Sequence, residues 1–403
     1  MIDRRDFLKL GAGTAIGAAG TGFAAADSSV GNSETSRIRS YRRLGRTGLE
    51  VSDISLGSSS TADPNIVAYA YDRGVNFFDS AESYRWGGAE KAIGRALKGR
   101  RDKVYLTSKT KAGASDTRGE IMASLEESLQ RLQTDYVDIY FNHSVNDVDR
   151  LRNDEWLEFC ELAKRQGKIR YRGVSGHGSQ LASCIDYALD NDMADVILVA
   201  YNFAQDPDFY DKLRHVFHWS AIQPELPRLL EKAKEKDVGV LAMKTLMGAR
   251  LNDMRPYEKP GSTFSQAAFR WVLSDPNVDA LLISMSGRED IDEYVAASGT
   301  TGNTAYDRQL LERYAFMRSG QYCQPGCNAC ADACPSKVEI AEVLRTRMYD
   351  VDYGDRALAR DEYAALGPAA SACIDCETRD CMGSCPIGVP IAEFTLDAAR
   401  RLA

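Results

Sequence analysis

The chain has 403 residues, of which 44% are hydrophobic and 27% are charged, and its formal net charge is -8. This length exceeds one small domain and fits a large domain of roughly 250 residues with additional segments. The mild negative charge, without a cluster of lysines and arginines, argues against nucleic-acid binding.

The N-terminal segment differs in composition from the rest of the chain. Arg4 and Arg5 precede a weakly apolar run rich in glycine and alanine, and residues 24–26 have the small side chains of a cleavage site. Paired arginines before Phe7-Leu8-Lys9 are typical of the twin-arginine pathway, which exports folded proteins. We therefore expect a signal peptide over 1–26, a linker over 27–40 and an exported, periplasmic-type protein that is not integral to the membrane after cleavage. An uncleaved anchor and an ordinary secretory signal are the alternatives.

Strand and helix patterns alternate after residue 50. Eight short apolar runs begin at residues 53, 75, 104, 136, 169, 196, 238 and 279. Amphipathic stretches separate them, and in one of these Ile121, Leu125, Leu129 and Leu132 recur at helical spacing. Eight such alternations over about 245 residues predict an α/β fold, a (β/α)8 TIM barrel, more than an open doubly wound sheet.

Four polar residues lie at or near the ends of consecutive predicted strands. Asp79 ends the second strand, Tyr84 follows in the next loop, Lys109 ends the third strand and His143 follows the fourth. Because reacting groups in this fold collect at the C-terminal ends of the strands, all four are expected at one rim.

These four residue types suit proton transfer at a carbonyl or alcohol oxygen, coupled to hydride movement on carbon. A tyrosine ordinarily titrates near 10, and a lysine ammonium beside it lowers its pKa. We expect Asp79 to hold Lys109 near Tyr84, and His143 to orient the substrate oxygen. The alternative for each residue alone is structural, as an ion pair, a core tyrosine or a buried histidine.

Several motifs together resemble the aldo/keto reductase superfamily. They lie between residues 41 and 297 and include "FFDSAESY", "GGAEKAIGRAL", "SLEESLQRLQTDYVDIYFNH" and "GVSGHG". The resemblance implies a barrel over 41–300, with Tyr84 as general acid/base, Lys109 and Asp79 as its tuning pair and His143 as the orienting group. It also implies NADPH as the usual cofactor.

The cofactor-binding positions depart from that pattern. The family's Ser-Asn pair is reduced to Ser175 followed by Gly176, and Met285 and Asp290 stand where two cations would bind the 2′-phosphate. An apolar and an acidic residue at those positions disfavour a dianionic phosphate. NADH, another bound cofactor and loss of the nucleotide are therefore alternatives to NADPH. If NAD(P) binds, its expected contacts are Ser175, Asn202, Lys244, Ser286 and Arg288.

Eight of the ten cysteines crowd into the C-terminal segment. They form two quartets, "CQPGCNACADACP" and "CIDCETRDCMGSCP", and each quartet ends in Cys-Pro as the ferredoxin run does. We predict two [4Fe–4S] clusters in a mostly helical, ferredoxin-like domain over 301–403; zinc sites and disulfides are the alternatives. In two-cluster ferredoxins the fourth cysteine serves the other cluster. The predicted ligand sets are Cys323, Cys327, Cys330 and Cys385, and Cys373, Cys376, Cys381 and Cys334.

The remaining Cys160 and Cys184 are expected to be packed thiols. The aromatic-rich segment 202–222, with His215 and His218, and His177 are candidates for the pocket wall; ordinary packing is the alternative.

The leading hypothesis is an exported iron–sulfur oxidoreductase acting on a small carbonyl/alcohol substrate, with a redox partner protein or quinone. It resembles a subgroup of aldo/keto reductase-like proteins that carry a ferredoxin-type C-terminal domain behind such a signal. The alternative is an electron-transfer protein whose barrel is only a docking scaffold.

Overall fold

Eight parallel strands form a closed barrel, as the sequence predicts. A short antiparallel hairpin, β1 (Tyr41–Arg43) and β2 (Glu50–Ser52), precedes them. The barrel strands pair in chain order, and the last closes onto the first. They are β3 (Ile54–Gly57), β4 (Phe77–Asp79), β5 (Tyr105–Thr110), β6 (Val137–Asn142), β7 (Ile169–Gly176), β8 (Val196–Ala200), β9 (Gly239–Met243) and β10 (Ala280–Ser284).

The computed structural model describes residues 36–178, 180–206, 225–247, 253–300, 302–318, 323, 327, 329–352, 354–386 and 388–403. The expected signal peptide and most of segment 202–222, including His215 and His218, lie outside the described residues. None of the helices within those ranges is long and apolar enough to cross a membrane.

Helices surround the barrel and continue beyond it. Those between the strands are α1 (Pro64–Asp72), α2 (Gly88–Ala96), α3 (Arg118–Leu132), α4 (Asp154–Arg165), α5 (Leu181–Asp190), α6 (Glu225–Glu235) and α7 (Phe264–Ser274). Those after the last strand are α8 (Arg288–Val295), α9 (Ala305–Arg318), α10 (Ile340–Val351), α11 (Arg356–Ala365) and α12 (Ile391–Leu402). Short 3-10 turns occupy Gly45–Thr47, Tyr84–Gly87, Arg101–Lys103, Val148–Arg150, Phe203–Gln205, Arg255–Tyr257, Pro368–Ile374 and Asp380–Ser384.

The predicted amphipathic helix is α3. The side chain of Thr117 accepts from the backbone N–H of Glu120, and the Glu120 side chain accepts from the Thr117 N–H, a reciprocal cap that fixes where the helix begins. Its predicted apolar face is buried in the core.

The hairpin closes the N-terminal end of the barrel. Leu44 and Leu49 join the apolar cluster formed by inward-facing strand residues such as Phe77 and Phe141. A Cβ on Gly45 would lie 2.2 Å from the backbone nitrogen of Gly239, at the start of β9, so this close contact requires glycine. The opposite, C-terminal end of the barrel is left for the site.

The barrel core extends further along the chain than the predicted boundary at residue 300. Leu311 and Tyr314 of α9 belong to the barrel's hydrophobic core, and the Tyr314 ring lies 4.4 Å from that of Phe264 between centroids. A separate apolar cluster begins at Cys330 and ends at Leu402. The C-terminal unit therefore starts after α9, because α9 buries its apolar face against the barrel helices.

Helices α10 and α11 lie over the C-terminal end of the barrel. Lys111, just past β5, forms an ion pair with Glu362 at 2.6 Å, and Arg85 lies 3.8 Å from Asp355. Two polar contacts from separate barrel loops thus fix the C-terminal unit over the rim where the site residues are expected.

Candidate active site

The four residues predicted to act together line a single cavity. Asp79 is the last residue of β4, Lys109 lies near the end of β5, His143 follows β6, and Tyr84 begins the turn after β4. The cavity has a volume of about 350 Å³ and all four side chains contribute to its wall. Parallel strands of a barrel bring their carboxyl ends to one rim, which is why residues 64 positions apart in sequence meet here.

Lys109 and Asp79 form a buried ion pair. The Lys109 Nζ lies 2.5 Å from Asp79 Oδ1, and their side chains are 1% and 6% exposed. Nζ also donates to the backbone oxygen of Ser80 at 2.6 Å, and the Thr107 hydroxyl donates to Asp79 at 2.6 Å. Each charged group thus has a second hydrogen-bond partner besides the other member of the pair, which helps to offset the cost of burying both charges.

The Tyr84 ring contacts both Lys109 and His143. Lys109 Nζ lies 4.8 Å from the ring centroid, and the His143 ring packs edge-on at 5.6 Å. The next two residues, Arg85 and Trp86, both have φ of 51°, a left-handed conformation that non-glycine residues rarely adopt. Such strain is held by surrounding structure and is typical of functional sites.

The expected lowering of the Tyr84 pKa is wrong for this geometry. Burial raises the pKa of the phenol well above its ordinary value, and the Asp79 carboxylate acts in the same direction. Lys109 does not offset this, because its charge is paired with Asp79 and lies over the ring. The phenol therefore keeps its proton at neutral pH, which is the state a general acid needs.

His143 is neutral at physiological pH. Burial lowers its pKa well below the ordinary value, and the nearby charges of Lys109 and Lys111 act in the same direction. A neutral imidazole carries one N–H and can donate it to an oxygen in the cavity. The wall also includes His177, whose Nε2 lies 3.3 Å from the Ser144 hydroxyl and whose pKa is lowered by burial and by Lys244.

The expected nucleotide contacts are only partly brought together. Ser175, Lys244 and Ser286 line the cavity, whereas Asn202 and Arg288 are not part of its described lining. Asn202 caps the turn Phe203–Gln205, and the Arg288 guanidinium lies 5.0 Å from the Tyr69 ring centroid.

The N-terminus of α8 already holds a carboxylate. Asp290 Oδ2 accepts from the backbone N–H groups of Ser286 at 3.2 Å and Gly287 at 3.1 Å. A helix N-terminus of this kind is where a phosphate would bind, and a fixed negative charge there repels one. The neighbouring Met285 is buried and offers no charge. That a 2′-phosphate is disfavoured at this position stays a prediction.

One wall of the cavity comes from the C-terminal unit, which the sequence interpretation missed. These residues lie on or between α10 and α11 and are Tyr349, Asp352, Asp355, Leu358 and Glu362. The sequence feature that could have indicated this wall is a polar helix face, because Glu342, Arg345 and Tyr349 recur at three- and four-residue steps.

Within the described residues, no disulfide joins any two cysteines. Cys160 and Cys184 are buried among apolar residues, which confirms the prediction of packed thiols. Burial raises the pKa of Cys184 to about 11, so this thiol is unreactive.

The other eight cysteines influence one another mostly within two sets of four, although Cys381 of one set also raises the pKa of Cys330 of the other. The pKa of the Cys323 thiol is raised first by burial and then by the nearby thiols of Cys327, Cys330 and Cys385. The pKa of Cys381 is raised by burial and then by the remaining three, which are Cys373, Cys334 and Cys376. These neighbours are the ones that the crossed ligand pattern predicts; the clusters themselves stay a prediction.

The two Cys-Pro motifs are structurally alike. The N–H of Val338 donates to Cys334 Sγ at 3.4 Å, and the N–H of Val389 donates to Cys385 Sγ at 3.3 Å. Backbone N–H groups directed at cysteine sulfur are a feature that tunes iron–sulfur clusters, so this donor set fits the group. Within the described ranges, no three His, Cys, Asp or Glu side chains are close enough to hold a single metal ion.

A closed eight-stranded parallel barrel with a polar cavity at its C-terminal rim defines the molecule as a TIM-barrel protein. The sequence model of the Aldo/keto reductase family matches residues 56–305. The chain belongs to this family, whose members are oxidoreductases.

Known proteins similar to this chain support the same assignment. L-galactose dehydrogenase from Arabidopsis thaliana is 26% identical to this chain, and the match covers 67% of this chain and 91% of that protein. The uncharacterized oxidoreductase YqkF from Bacillus subtilis is 23% identical, and the match covers 68% of this chain and 95% of that protein. Among solved structures, a putative aldo-keto reductase from Pseudomonas aeruginosa is 25% identical, with a TM-score of 0.51 over 66% of this chain and 96% of its own. The holo form of aldo-keto reductase AKR11C1 from Bacillus halodurans shares the fold, with 22% identity and a TM-score of 0.53. The match covers 69% of this chain and 96% of that structure.

Proposed function

We propose that this chain interconverts a carbonyl and an alcohol in the cavity at the barrel mouth, with Tyr84 as the proton donor and acceptor. The observation that carries the proposal is the shared cavity of Tyr84, His143 and the Lys109–Asp79 pair, with the pair at 2.5 Å. A carbonyl oxygen placed among these groups meets a protonated phenol, a neutral imidazole and a fixed cation within one low-dielectric space.

In the reduction direction, charge develops on the substrate oxygen as a hydride adds to its carbon. A reduced nicotinamide, when bound, supplies that hydride and its electron pair. His143 orients the oxygen by donating a hydrogen bond, and the Lys109 ammonium stabilises the developing negative charge. The Tyr84 O–H then transfers its proton to the oxygen, giving an alcohol and a phenolate that solvent reprotonates.

The preferred nucleotide in this proposal is NADH. A 2′-phosphate meets the Asp290 carboxylate at the start of α8, whereas an unmodified ribose hydroxyl can donate to that carboxylate. Ser175 and Ser286, which line the cavity, are the remaining polar contacts on that side.

The substrate in this proposal is a small hydroxylated molecule of the sugar or polyol type. Its support is the polar wall of the cavity, which includes Ser59, Ser144, Asp352 and Glu362. The similarity to L-galactose dehydrogenase, which this chain matches over 91% of that protein, makes L-galactose a reasonable first substrate.

We further propose that the two cysteine groups hold [4Fe–4S] clusters and that the protein is exported by the twin-arginine pathway. The grouping of four thiols in each set and the paired N–H···S contacts support the clusters. Arg4 and Arg5 before the Gly/Ala-rich run support export. The two proposals agree, because a protein that receives its clusters before export is already folded, and the twin-arginine pathway exports folded proteins.

The test uses full-length protein purified anaerobically, with L-galactose and NAD or the corresponding carbonyl and NADH. Tyr84→Phe is expected to lower kcat by about 10²- to 10⁴-fold, the usual contribution of a positioned acid. Tyr140→Phe is the matched control, because Tyr140 is buried on β6 against Trp156 and does not line the cavity. Retention of activity in the Tyr84 variant contradicts the proposal.

An electron-transfer protein with an inactive barrel is the second candidate. The Asp290 carboxylate at the phosphate position and the two groups of cysteines favour it. Iron-dependent electron transfer from the chemically reduced protein to a one-electron dye, without carbonyl turnover with either nucleotide, would support this candidate over the first.

A further inference from the structure

The two predicted ligand sets of cysteines have different surroundings. The set that contains Cys323, which we call the inner set, lies toward the barrel. The pKa of the Cys323 thiol is raised first by burial, and Glu342 is among the nearby groups that raise it further. Glu342 is 4% exposed, and its Oε1 lies 2.9 Å from the position that a Cβ on Gly178, just past β7, would occupy. The inner set is therefore on the side of the C-terminal unit that contacts the barrel.

The set that contains Cys373 and Cys381, which we call the outer set, is bordered by exposed apolar side chains. Ile374 directly follows Cys373 and is 50% exposed, and Met382 directly follows Cys381 and is 42% exposed. In the described part of the chain beyond α9, these are the two large hydrophobic side chains that are exposed. Both apolar side chains thus lie beside predicted cluster ligands and in contact with solvent.

Acidic side chains accompany these two residues. Asp375, Glu377 and Asp380 are exposed, and Arg379 is the exposed cation of the segment 374–383. The segment therefore carries more negative than positive charge. A partner with a cationic face is attracted to such a segment, whereas a second copy of this chain would bring like charges together.

We propose that the outer face, formed by Ile374, Met382 and the three carboxylates between them, docks a protein electron carrier that presents a lysine-rich face. This inference rests on the proposed clusters and goes beyond the carbonyl chemistry, because it concerns a partner protein. A cluster held by the outer set supplies one-electron chemistry at this face when bound. Docking itself is noncovalent, and no bond forms or breaks.

The composition of the outer face suits a short-lived complex. Electron-transfer partners meet over small interfaces, below about 1,200 Å² in total, because the carrier has to leave again. Charged residues at the rim of such an interface mainly raise the rate of association and orient the partner, while a small apolar centre excludes water. Since the inner set lies against the barrel, the outer set is the one that a carrier reaches from solvent.

The test measures binding of cytochrome c, a cationic haem protein, to the full-length holoprotein by calorimetry at ionic strengths of about 0.02 M and 0.5 M. Glu377→Lys/Asp380→Lys is expected to raise Kd about 10-fold or more at the lower ionic strength, with little difference from wild type at the higher one. The matched control is Glu231→Lys/Glu235→Lys, which changes the net charge equally at two exposed positions of α6. Equal losses of affinity in the two double variants would show attraction to net charge alone and overturn the inference.

Carbodiimide cross-linking of the same complex locates the contact, because it joins a carboxylate to a lysine of the bound partner. Cross-links are expected at Asp375, Glu377 and Asp380, and Ile374→Gln is expected to raise Kd about 5-fold at both ionic strengths, since it removes apolar contact rather than charge. Cross-links spread evenly over the acidic surface, or an unchanged Kd for Ile374→Gln, contradict a defined docking face. Cytochrome b5, an anionic haem protein, is expected to bind much more weakly, and equal binding of the two carriers also overturns the proposal.

Iron analysis of each preparation separates failure of this inference from failure of the proposed clusters. Cross-links at the outer face in protein without iron would support the docking surface and refute the clusters. Full iron content without cross-links at the outer face would overturn the docking surface and leave the clusters standing. Carbonyl turnover at Tyr84 enters neither measurement, so an inactive barrel does not affect the result.

Discussion

Replacement of Asp79 by asparagine tests the buried ion pair that underlies the candidate site. The variant keeps an oxygen for the Thr107 hydroxyl but removes the negative charge 2.5 Å from Lys109 Nζ. The Lys109 side chain is only 1% exposed, so bulk water solvates its charge poorly once the partner is lost. Breaking a buried pair from one side ordinarily costs about 3–5 kcal/mol of unfolding free energy.

Deprotonation of Lys109 sets an upper limit on this loss. A lysine with an ordinary pKa of about 10.4 can become neutral at pH 7 at a cost of about 4.6 kcal/mol, so the penalty stays below that value. Burial already lowers the pKa of Lys109, with Asp79 opposing, so removal of Asp79 lowers it further. The unfolded state of the variant then binds more protons than the folded state, and the penalty shrinks by about 1.4 kcal/mol for each pH unit from 7 towards 10.

The assay is thermal unfolding of the full-length protein, followed by circular dichroism at pH 7 and pH 9. Asp79→Asn is expected to lower Tm at pH 7 by roughly 4–8 °C, because each kcal/mol shifts Tm by only about 1–2 °C in a chain of this size, with a smaller decrease at pH 9. Asp237→Asn is the control, because its pair with Arg43 at 2.7 Å is about half exposed and its loss should change Tm by no more than about 2 °C. Equal shifts for the two variants, or a penalty that grows with pH, would refute the reasoning.

Three further results are expected. Burial lowers the pKa of His143 and His177 well below the ordinary value, so both side chains gain protons only on unfolding. Tm should therefore fall as the pH drops below about 6.5. His177→Gln should weaken this pH dependence of Tm, and an unchanged dependence would contradict the prediction. Gly94→Ala places a Cβ 2.5 Å from the Leu132 carbonyl oxygen and should cost about 1–3 kcal/mol, while Gly119→Ala, with its nearest atom at 3.8 Å, should be neutral or stabilising in denaturant titrations. Removal of the iron of the proposed clusters by chelation should lower Tm, because Cys330 and Tyr349 share one apolar cluster. Reconstitution should restore the Tm, and an unchanged Tm after complete iron loss would argue against cluster support of this wall.

The barrel and the position of its rim residues were accessible from sequence, because both depend on local pattern. Strand ends such as Asp79 and Lys109 are visible as the point where an apolar run meets a polar side chain. The fold then brings these ends together without any knowledge of side-chain packing.

The acidity of Tyr84 and the origin of the cavity wall were not accessible, because both depend on distant contacts. Whether Lys109 acts on the phenol depends on where its charge is already paired, and sequence does not give that distance. Likewise, Lys111 and Glu362 are 251 positions apart, and no local pattern indicates that α11 lies over the barrel mouth. The packing of α9 on the barrel was not accessible for a related reason, since the apolar face of this helix is the same whether it packs on the barrel or on the cysteine-rich unit.

Because α10 contributes to the cavity wall, substitutions in the barrel and in the cysteine-rich part of the chain constrain each other. A mutation that reshapes Tyr349 or Glu362 alters what the barrel can accept, and a change at Lys244 alters how the cysteine-rich helices are held. Adaptation to a new substrate would therefore proceed by paired substitutions across the junction, and exchange of either half with a homologue would succeed only when its counterpart is inherited with it.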